Sequence, residues 1–550
     1  MTRHRVFLFS LAWGAFLTLL LLVGVPAPTV GLLTVPLLGL VTAIDPTSRA
    51  PGVGIKINLR SGPSSAAGGE FRVLLVSTKN ATGGTATVET LYESVANADA
   101  VGTLFGLGGL AHLTAQRFFE EYPAGRLDAI AMAAASGDTA DGDITLDDAT
   151  PVSKAQTIEY TICGRTWADV VWEVGETDVA AATKLVAAIN SHTRELPVTA
   201  SNGGGTLAVV TLTFKQKGDC GNDASYRARL LDGTGGSISP TAKSVLTGGT
   251  TKPSIANVLT VIADREYRII LPALGNTDVA QASTTGTAGR LKTYISNNDT
   301  GIGALLQTGV FACTDSTTAA KAMSGQHDFE YFSHHLIRGG QSLPCEWAGA
   351  IAGIYAREFK ADPNHPLVRL EFIAELYGTD DIAADNVTKA EQEDLLASGV
   401  SYVGYTSGTT PRPRLERPIS CYFEDDDGAP DDRILDVSKV YGMIAVGDDL
   451  RVLVARTFKG KKLMRSLPSG NTPIPPNVVE EKDAQSLIVG RLRNKWVVDG
   501  VILGARLDEV LADGSLIVQV DPTDETQLDV FLPLRVVPPL VKTSIVIVQS

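Results

Sequence analysis

The sequence predicts a multi-domain α/β (α+β) protein, and three observations support this prediction. The chain has 550 residues, which is more than one hydrophobic core usually holds, so two or three domains are expected. Hydrophobic residues make up 44% of the chain and charged residues 20%, as is typical of a folded globular protein. Buried strands alternate with amphipathic helices along most of the sequence, and one strand-rich stretch interrupts that alternation.

Two segments come before the first domain. Residues 1–44 form an apolar leader, in which an uncharged run from Val6 to Val25 is long enough to span a bilayer. Residues 45–62 are predicted to form an N-terminal arm containing a short strand, because four apolar side chains alternate there with small or polar ones: Val53, Ile55, Ile57 and Leu59. The Gly, Pro and Ser residues of 61–69 separate this arm from the domain that follows.

The predicted core is built from two parts of the chain. In the first part, residues 63–141, EFRVLLVST predicts a buried strand, HLTAQRFFEEYP a helix that ends at Pro123, and RLDAIAMAAA the next strand. In the second part, residues 250–535, helices and strands alternate again. It includes the long helix CEWAGAIAGIYAREFKADP, the strand RPISCYFED, and the helix TKAEQEDLLASG with a capping box at Thr388 and Glu391.

Residues 142–249 are predicted to be a β-rich domain inserted into this core. TIEYTICG, WADVVWEVG and LAVVTLTFKQKG predict strands, and DVAAATKLVAAINSH predicts one amphipathic helix. Both boundaries are rich in loop-forming residues, so we expect this segment to fold as an independent unit.

Charge and cysteine content exclude several classes of function. The net charge of −14 and the pI near 5.1 are unsuited to a nucleic-acid groove, which needs a basic face. The five cysteines are odd in number, widely spaced and without a C-x-x-C pair, so neither a zinc site nor a disulfide framework is predicted. We expect reduced, mostly buried thiols.

The stretch YTSGTTPRPR, Tyr405 to Arg414, resembles the phosphate-binding loop of adenylate-forming ligases, which makes an ATP-dependent adenylate-forming enzyme an alternative function. Here, however, Pro411 stands where that loop has glycine, and Arg414 stands where it has lysine. Pro411 and Pro413 also remove backbone N–H donors on which a phosphate loop depends. Because the stretch lies between two predicted strands, it offers no helix N-terminus to a phosphate. The adenylation hypothesis is disfavoured, and a polar turn is predicted.

Other motifs are weaker still. GLGGLAH, from Gly106, contains too little of a dinucleotide fingerprint and predicts a tight helix entry. FEDDDGAPDD, from Phe423, places Phe423 and Ile434 at the first and last positions of a calcium loop, where ligands are required, so a solvated acidic turn with at most weak cation binding is predicted. Three histidines lack the spacing of a metal set: His327, His334 and His335. No catalytic, cofactor-binding or metal site is predicted.

A resemblance to a known family extends along most of the chain. DPTSRAPGVGIKINLRSG, from Asp45, is similar to the opening segment of the Mu-like contractile phage tail sheath proteins. LFGLGGLAHLTAQRFFEEYPAGRLDAIAM, TLTFKQKGDCGNDA, TKAEQEDLLASGVSYV and DPTDETQLDVFLPLRVVPPLVKTSIVIV are also similar, in this order and with similar spacing. The segment LMRSLPSGNTPIPP is shorter than usual in the family, which leaves the details of the tube-facing region open.

The resemblance implies a structural role. It implies a subunit that polymerises as stacked hexameric rings around a tail tube and contracts to drive that tube through the host envelope. The implied partners are other copies of the chain, the tail tube protein, and baseplate and tail-terminator proteins. Direct nucleic-acid contact, stable membrane insertion and cofactors are not implied. The expected location is the virion, after assembly in the host cytoplasm. The sheath of a tail-like bacteriocin or of a defective prophage is an open alternative.

The resemblance also implies two kinds of contact residue. The N-terminal arm and a C-terminal arm, residues 536–550, are expected to add strands to neighbouring subunits. The C-terminal strand residues are Val541, Thr543, Ile545 and Ile547. The helix predicted for NVVEEKDAQSLIVGRLRNKWVVDG is expected to face the tube through Arg491, Arg493 and Lys495, although a solvated amphipathic helix explains the same pattern.

The apolar leader conflicts with assembly in the cytoplasm. A bilayer-spanning segment on every subunit would insert into membrane or aggregate. Because the family resemblance begins only at Asp45, we expect residues 1–40 to be upstream sequence that the working protein lacks, with a start at or near Val41. The alternative is a real hydrophobic extension that is either cleaved or packed in the assembly.

Overall fold

The computed structural model describes residues 71–540, apart from residues 204, 206, 277–285, 299–304, 409–410, 426, 432–433, 466–476 and 523–524. The apolar leader, the N-terminal arm and residues 541–550 of the C-terminal arm lie outside the described residues. The eight arm residues named above are therefore not placed. In the described part of the chain, no helix combines the length and the apolar character needed to cross a membrane.

Strands and helices follow one another through the described residues. The strands are β1 (Arg72–Thr78), β2 (Leu91–Val95), β3 (Arg126–Met132), β4 (Thr139–Asp147), β5 (Gln156–Ile162), β6 (Arg165–Trp172), β7 (Val198–Ser201), β8 (Val209–Lys217), β9 (Ser225–Leu231), β10 (Ser237–Ser239), β11 (Ser244–Val245), β12 (Ile269–Pro272), β13 (Thr308–Cys313), β14 (Phe332–Leu336), β15 (Leu370–Glu371), β16 (Val400–Tyr405), β17 (Pro413–Leu415), β18 (Lys462–Met464), β19 (Val478–Glu480), β20 (Ile517–Val520) and β21 (Leu528–Phe531). The α-helices are α1 (Ala98–Phe105), α2 (Leu110–Glu121), α3 (Asp178–Ser191), α4 (Ala256–Val261), α5 (Thr287–Asn298), α6 (Thr317–Gly325), α7 (Pro344–Ala361), α8 (Ile382–Asp385), α9 (Lys389–Ala397), α10 (Val437–Phe458), α11 (Glu481–Arg491) and α12 (Gly504–Ala512).

A mixed sheet is the centre of the fold. Among the described residues it has nine strands, in the order β15-β17-β16-β14-β13-β12-β1-β3-β2. The inner strands from β16 to β3 are parallel, whereas β2 at one edge and the β17–β15 pair at the other are antiparallel. This arrangement is an α/β core assembled from both halves of the chain, and it agrees with the predicted fold class.

Helices cover both faces of the sheet, and β1 shows why. Its four consecutive apolar side chains are fully buried, as a parallel strand between two helical layers requires. Val73 and Leu75 belong to the hydrophobic cluster that includes α2 and α7. Leu74 and Val76 belong to the opposite cluster, which includes α4, α5 and α6. The alternation of strand side chains between faces therefore builds two cores on one sheet.

The helix ends predicted from the sequence are confirmed. Thr388 accepts from the Glu391 backbone N–H and the Glu391 carboxylate accepts from the Thr388 backbone N–H, so the capping box is present. Gly399, with φ +69°, follows that helix in a backbone conformation that other residues rarely adopt. Helix α7 ends at Ala361, immediately before Asp362 and Pro363.

The β-rich stretch forms two small sheets within the described residues, β10-β4-β8-β7 and β11-β9-β5-β6, with α3 packed against the first sheet and β6. Strand β4 begins at Thr139, so the predicted boundary at Gly142 falls inside this strand. The entering and leaving chains are joined just outside the sheets, where the Gly137 backbone N–H donates to Thr251 Oγ1 at 2.7 Å. The stretch is therefore closed at its base by contacts between its two ends.

The C-terminal part of the described chain has a smaller core of its own. Helix α10 connects it to the central sheet, because Tyr441 and Ile444 pack near the sheet while Val446 and Leu450 pack in the smaller core. Trp496 lies at the centre of this core and is only 1% exposed. One long helix thus belongs to both hydrophobic regions.

Two predicted elements differ from the structure. The segment RPISCYFED is not a strand; it makes isolated bridges such as Ile419 with Asp436, because Pro418 lacks an N–H group and Ser420 donates its backbone N–H to Leu435 instead of to a ladder. The helix expected from residue 477 to residue 500 is shorter. It begins at Glu481, after strand β19, and continues from Leu492 to Val497 as a π-helical turn.

Candidate functional site

The sheet reverses its strand order between β1 and β12, where open α/β sheets usually bind ligands at the carboxyl ends of the strands. In this chain the β-rich stretch occupies that position. Gln216, on β8, donates a hydrogen bond from Nε2 to the carbonyl oxygen of Thr78 at the end of β1, at 2.6 Å. It also accepts one from the backbone N–H of Leu110 at 3.2 Å. The end of β1 is therefore bound by the chain's own polar groups.

The carboxyl end of β12 is bound in the same way. Asp223 accepts hydrogen bonds from the Asn276 backbone N–H at 2.7 Å and from its Nδ2 at 3.0 Å. Asn276 in turn links to Thr314 after β13, accepting from its backbone N–H at 3.0 Å. Burial raises the pKa of Asp223 to about 7, and the hydrogen bonds from Asn276 oppose this shift. The crevice that could hold a ligand is filled by a contact between the two regions of the protein.

A buried carboxylate makes a second contact between these regions. Glu346, on the first turn of α7, is fully buried and accepts hydrogen bonds from Arg165 on β6 and from Arg117 on α2, the latter at 3.2 Å. Its other oxygen accepts from the Leu343 backbone N–H at 3.1 Å. Burial works to raise the pKa of Glu346, but the charges of Arg165 and Arg117 outweigh it and lower that pKa. Glu346 is therefore an ionised link between core and inserted sheets.

A polar groove of about 710 Å³ opens beside this link, between α1 and α2 of the core and β6 of the inserted sheets. Its walls include Arg117 and Arg165, which are paired with Glu346, and the acidic side chains Glu120 and Glu375. Glu375 accepts a hydrogen bond from Tyr377, and Glu120 from the Glu375 backbone N–H. The groove is a boundary between two packed regions, lined by groups that already bind one another.

The residues predicted to face a tube are held by carboxylates of the same chain. Arg491 donates two hydrogen bonds to Asp449 on α10, from Nε at 2.7 Å and from Nη2 at 2.6 Å. Lys495 Nζ lies 3.9 Å from the same carboxylate. Arg493 Nη2 lies 2.6 Å from Asp508, in an exposed pair. The structure brings Arg491 and Lys495 together at Asp449 and places Arg493 apart from them.

Asp449 is the anchor of this arrangement. It is 8% exposed and also accepts a hydrogen bond from Trp496 Nε1 at 2.9 Å. Lys495 lies over the Trp496 ring, with Nζ 3.8 Å from the ring centroid. Arg491 and Lys495 thus contribute to packing in the C-terminal core, and this role is separate from any contact they make with a tube.

The stretch that resembles an adenylation loop is a turn between two antiparallel strands. Tyr405 at the end of β16 pairs with Pro413 at the start of β17. The Thr406 backbone N–H donates to the Arg412 carbonyl at 2.9 Å, and Arg414 binds Glu416. The predicted polar turn is confirmed.

The three histidines are buried in the central core. The rings of His327 and His334 are stacked with centroids 5.1 Å apart, and neither ring nitrogen of either residue has a hydrogen-bond partner in the described part of the chain. His335 instead contacts the Tyr355 hydroxyl at 3.0 Å. Burial lowers the pKa of His327 to about 4 and of His335 to about 3, and lowers that of His334 well below its usual value. These histidines are uncharged core residues at neutral pH.

The acidic stretch forms the predicted turn, and the cysteines are buried as predicted. Asp425 accepts hydrogen bonds from the backbone N–H groups of Asp427 and Ala429, which forms a local turn. All five cysteines are free and buried. Within the described residues, three carboxylates lie close enough together to share a cation, and none of them belongs to the acidic turn: Asp147, Asp148 and Asp178.

The contacts between core and inserted sheets were not predicted. Arg117 and Arg165 lie 229 and 181 residues from Glu346 along the chain, so no local spacing indicates that they meet. The sequence contains one indication that Glu346 is bound by other groups. It lies three residues after Leu343, in the first turn of a predicted apolar helix, and a carboxylate at this position often accepts a hydrogen bond from the backbone N–H before the helix.

No protein-family model and no curated protein matches the chain. Solved structures do. A sheath tail protein of Listeria innocua has 13% identity and a TM-score of 0.40, over 80% of this chain and 87% of that one. A sheath tail protein of Desulfitobacterium hafniense has 13% identity and a TM-score of 0.38, over 82% and 90%. The helical sheath of the anti-feeding prophage in its contracted state has 10% identity and a TM-score of 0.42, over 92% and 100%. All three are sheath proteins.

Proposed function

We propose that the chain is the structural subunit of a contractile tail sheath. In this proposal it polymerises as stacked hexameric rings around a tail tube, and contraction of the polymer drives the tube through the host envelope. The observation that carries the proposal is the ordered series of sequence resemblances that runs from Asp45 to Val548. A shared order along hundreds of residues is far more specific than any single motif.

The contacts within the subunit support a mechanical role. During contraction a sheath subunit must move as one body, so its parts have to be firmly joined. The Glu346 pair with Arg165 joins the inserted sheets to the helical layer, and the Gln216 contact joins them to the central sheet. Buried charge pairs of this kind have few alternative partners, so they favour one relative position of the two regions.

Links between subunits have to survive contraction, and we assign them to the two arms. The hairpin β20–β21 is a suitable acceptor, because within the described residues neither strand has a second neighbour on its outer edge. On β20 the Val520 backbone N–H already donates to Glu481 at 2.8 Å, so the outer edge of β21 is the better position. An arm strand from another copy could pair there, at about 1 kcal/mol for each backbone hydrogen bond plus the burial of its apolar side chains. Leu540, immediately before the C-terminal strand residues, is 80% exposed.

The proposed partners are further copies of the chain, the tail tube protein, and the baseplate and tail-terminator proteins. The subunit would assemble in the host cytoplasm and reside in the virion. It would need no cofactor, and it would not catalyse a reaction. The sheath of a tail-like bacteriocin or of a defective prophage fits the same observations, since each uses the same kind of subunit.

Contact with the tube through the C-terminal core remains part of the proposal. Arg493 is the suitable residue to test, because its partner Asp508 is exposed and the pair adds little to stability. Charge reversal at Arg493 should weaken assembly on tubes at low salt. Unchanged assembly of R493E on tubes would remove this residue from the proposed tube surface.

Electron microscopy of the purified protein tests the function directly. Negatively stained samples should contain rings or long tubes, and deletion of residues 541–550 should abolish the tubes while leaving a folded subunit. A chain that stays monomeric under all assembly conditions would contradict the proposal. If the chain were an adenylate-forming enzyme, it would catalyse ATP–pyrophosphate exchange. If it were a membrane-anchored binding protein, it would sediment with lipid vesicles.

A further inference from the structure

The end of α10 and the segment after it carry an exposed patch of positive charge, which we call the cationic ridge. It contains five basic residues within ten positions and no acidic residue: Arg456, Lys459, Lys461, Lys462 and Arg465. All five are exposed. Such a density of one sign is unusual in a chain whose net charge is −14.

The ridge has no carboxylate partner within the described residues. Lys461 Nζ lies over the Phe458 ring, 5.6 Å from its centroid, and Arg465 Nη2 lies 3.5 Å from the carbonyl oxygen of Asp521. By contrast, Arg491 and Arg493 in the same C-terminal region are each paired with an aspartate. Among the described residues, the ridge is therefore a basic surface that is free to bind another molecule.

An apolar strip accompanies these charges on α10. Val452 is 59% exposed, and Ala455, Arg456 and Lys459 are also exposed. Positions 452, 455 and 456 follow the i, i+3, i+4 pattern of a single helix face, and Lys459 caps the C-terminal end of the helix. A helix face that combines exposed apolar and basic side chains is suited to docking on an acidic protein surface.

We propose that the cationic ridge docks on an acidic surface of a second copy of this chain. The inference rests on the proposed function, in which copies pack against one another. Charge complementarity supports it: without the five positive charges of the ridge, the rest of the chain carries −19 (−14 minus 5). Because the ridge would meet a different surface of the next copy, the proposed contact is head-to-tail, and contacts of this type generate rings or helical polymers.

The physical consequence is a salt-sensitive assembly. Exposed charges are screened over about 8 Å at physiological ionic strength and over about 3 Å at 1 M salt, so the attraction between ridge and acidic surface weakens as salt rises. Assembly of the full chain should therefore need a higher protein concentration at 0.5 M than at 0.05 M sodium chloride.

Charge reversal on the full chain tests the proposal. The ridge variant is K459E/K461E/K462E, and the matched control is K154E/K217E/K389E, which makes the same change of charge at three lysines that are exposed elsewhere. Polymer is measured by sedimentation velocity and negative stain. We expect the control to assemble like the unmodified chain at low salt, and the ridge variant to need at least tenfold more protein. Thermal unfolding verifies that each variant is folded, and K459Q/K461Q/K462Q replaces the reversal if it is not.

Equal assembly of ridge and control variants would overturn the proposal. It would also be overturned if the ridge variant polymerised normally alone but failed on tail tubes, because the partner would then be a different protein. If the unmodified chain formed no rings or tubes, the proposed sheath function would fail. The ridge proposal would fail with it only if sedimentation also showed no salt-sensitive association of copies.

Discussion

The carboxylate of Glu346, on the first turn of α7, accepts a hydrogen bond from the guanidinium of Arg165, which lies 181 residues earlier on strand β6. Both side chains are almost completely buried. Arg117 on α2 donates to the same carboxylate and also pairs with Glu120, so two acidic side chains balance the two basic ones. This group is a buried electrostatic connection between the core and the inserted sheets, and it has a direct consequence for stability.

Replacing Glu346 by glutamine should destabilise the protein by about 3–5 kcal/mol, since the buried Arg165 guanidinium loses its counter-charge and Arg117 keeps only its pair with Glu120. Glutamine preserves the size of the side chain and can still accept a hydrogen bond from the backbone N–H of Leu343. The loss of unfolding free energy therefore measures the effect of removing the negative charge. Urea unfolding measures the change. The control is R493Q, at an exposed pair, for which the loss should be below about 1 kcal/mol. Equal, small losses in both variants would contradict a role for the Glu346 pairs.

Acid should weaken the fold through the stacked pair His327 and His334. Burial lowers the folded-state pKa of both below the unfolded value of 6.5, and for His327 to about 4. The unfolded chain therefore binds protons first, so this contribution to stability is complete above pH 6.5 and declines as the pH falls from 6.5 towards 4. The variant H327F/H334F should lose less stability than the unmodified protein between pH 7.5 and pH 5, measured by thermal unfolding.

The comparison with this variant is necessary because Asp223 acts in the opposite direction. Burial raises its pKa to about 7, so its contribution is complete below pH 3.8 and is lost as the pH rises through 7. Both the unmodified protein and H327F/H334F contain Asp223, so its contribution cancels when their unfolding midpoints are subtracted at each pH. A difference in unfolding midpoint that stays constant from pH 7.5 to pH 5 would exclude the histidine pair as a source of acid sensitivity.

Arg491 and Arg493 should respond differently to charge reversal. R491E places a carboxylate next to the nearly buried Asp449 and should destabilise the C-terminal core by about 1–3 kcal/mol. R493E changes an exposed pair and should leave the unfolding midpoint within experimental error. Differential scanning calorimetry of both variants distinguishes these outcomes. If R491E is as stable as R493E, the hydrogen bonds of Arg491 to Asp449 contribute little to stability.

The inserted sheets should fold in isolation when the fragment includes their base. A fragment of residues 137–251 keeps the contact between Gly137 and Thr251 and all of strand β4. A fragment of residues 142–249 removes the first three residues of that strand and should be less stable. We expect dispersed amide resonances from the longer fragment, and we propose that this region lies on the outer surface of the sheath. An undispersed spectrum from the longer fragment would rule out independent folding.

Much of the fold was predictable because its signals are local. The apolar run of β1, the capping box at Thr388 and the Asp362-Pro363 stop of α7 each depend on neighbours within a few positions. The sequence also indicated that YTSGTTPRPR is a turn, because proline removes the donors that a phosphate loop needs. By itself, then, the sequence determined the fold class, the approximate extent of most elements and the failure of the adenylation motif.

Tertiary structure decided which distant side chains meet. The pairing of Glu346 with Arg165 and of Asp449 with Arg491 depends on where whole helices and strands pack, and one-dimensional spacing carries no record of that. The same holds for RPISCYFED, whose backbone groups find partners outside a strand ladder, and for the helix that begins at Glu481 instead of residue 477. Local propensities are worth tenths of a kcal/mol per residue, whereas burying charge and apolar surface is worth several, so packing sets the final arrangement.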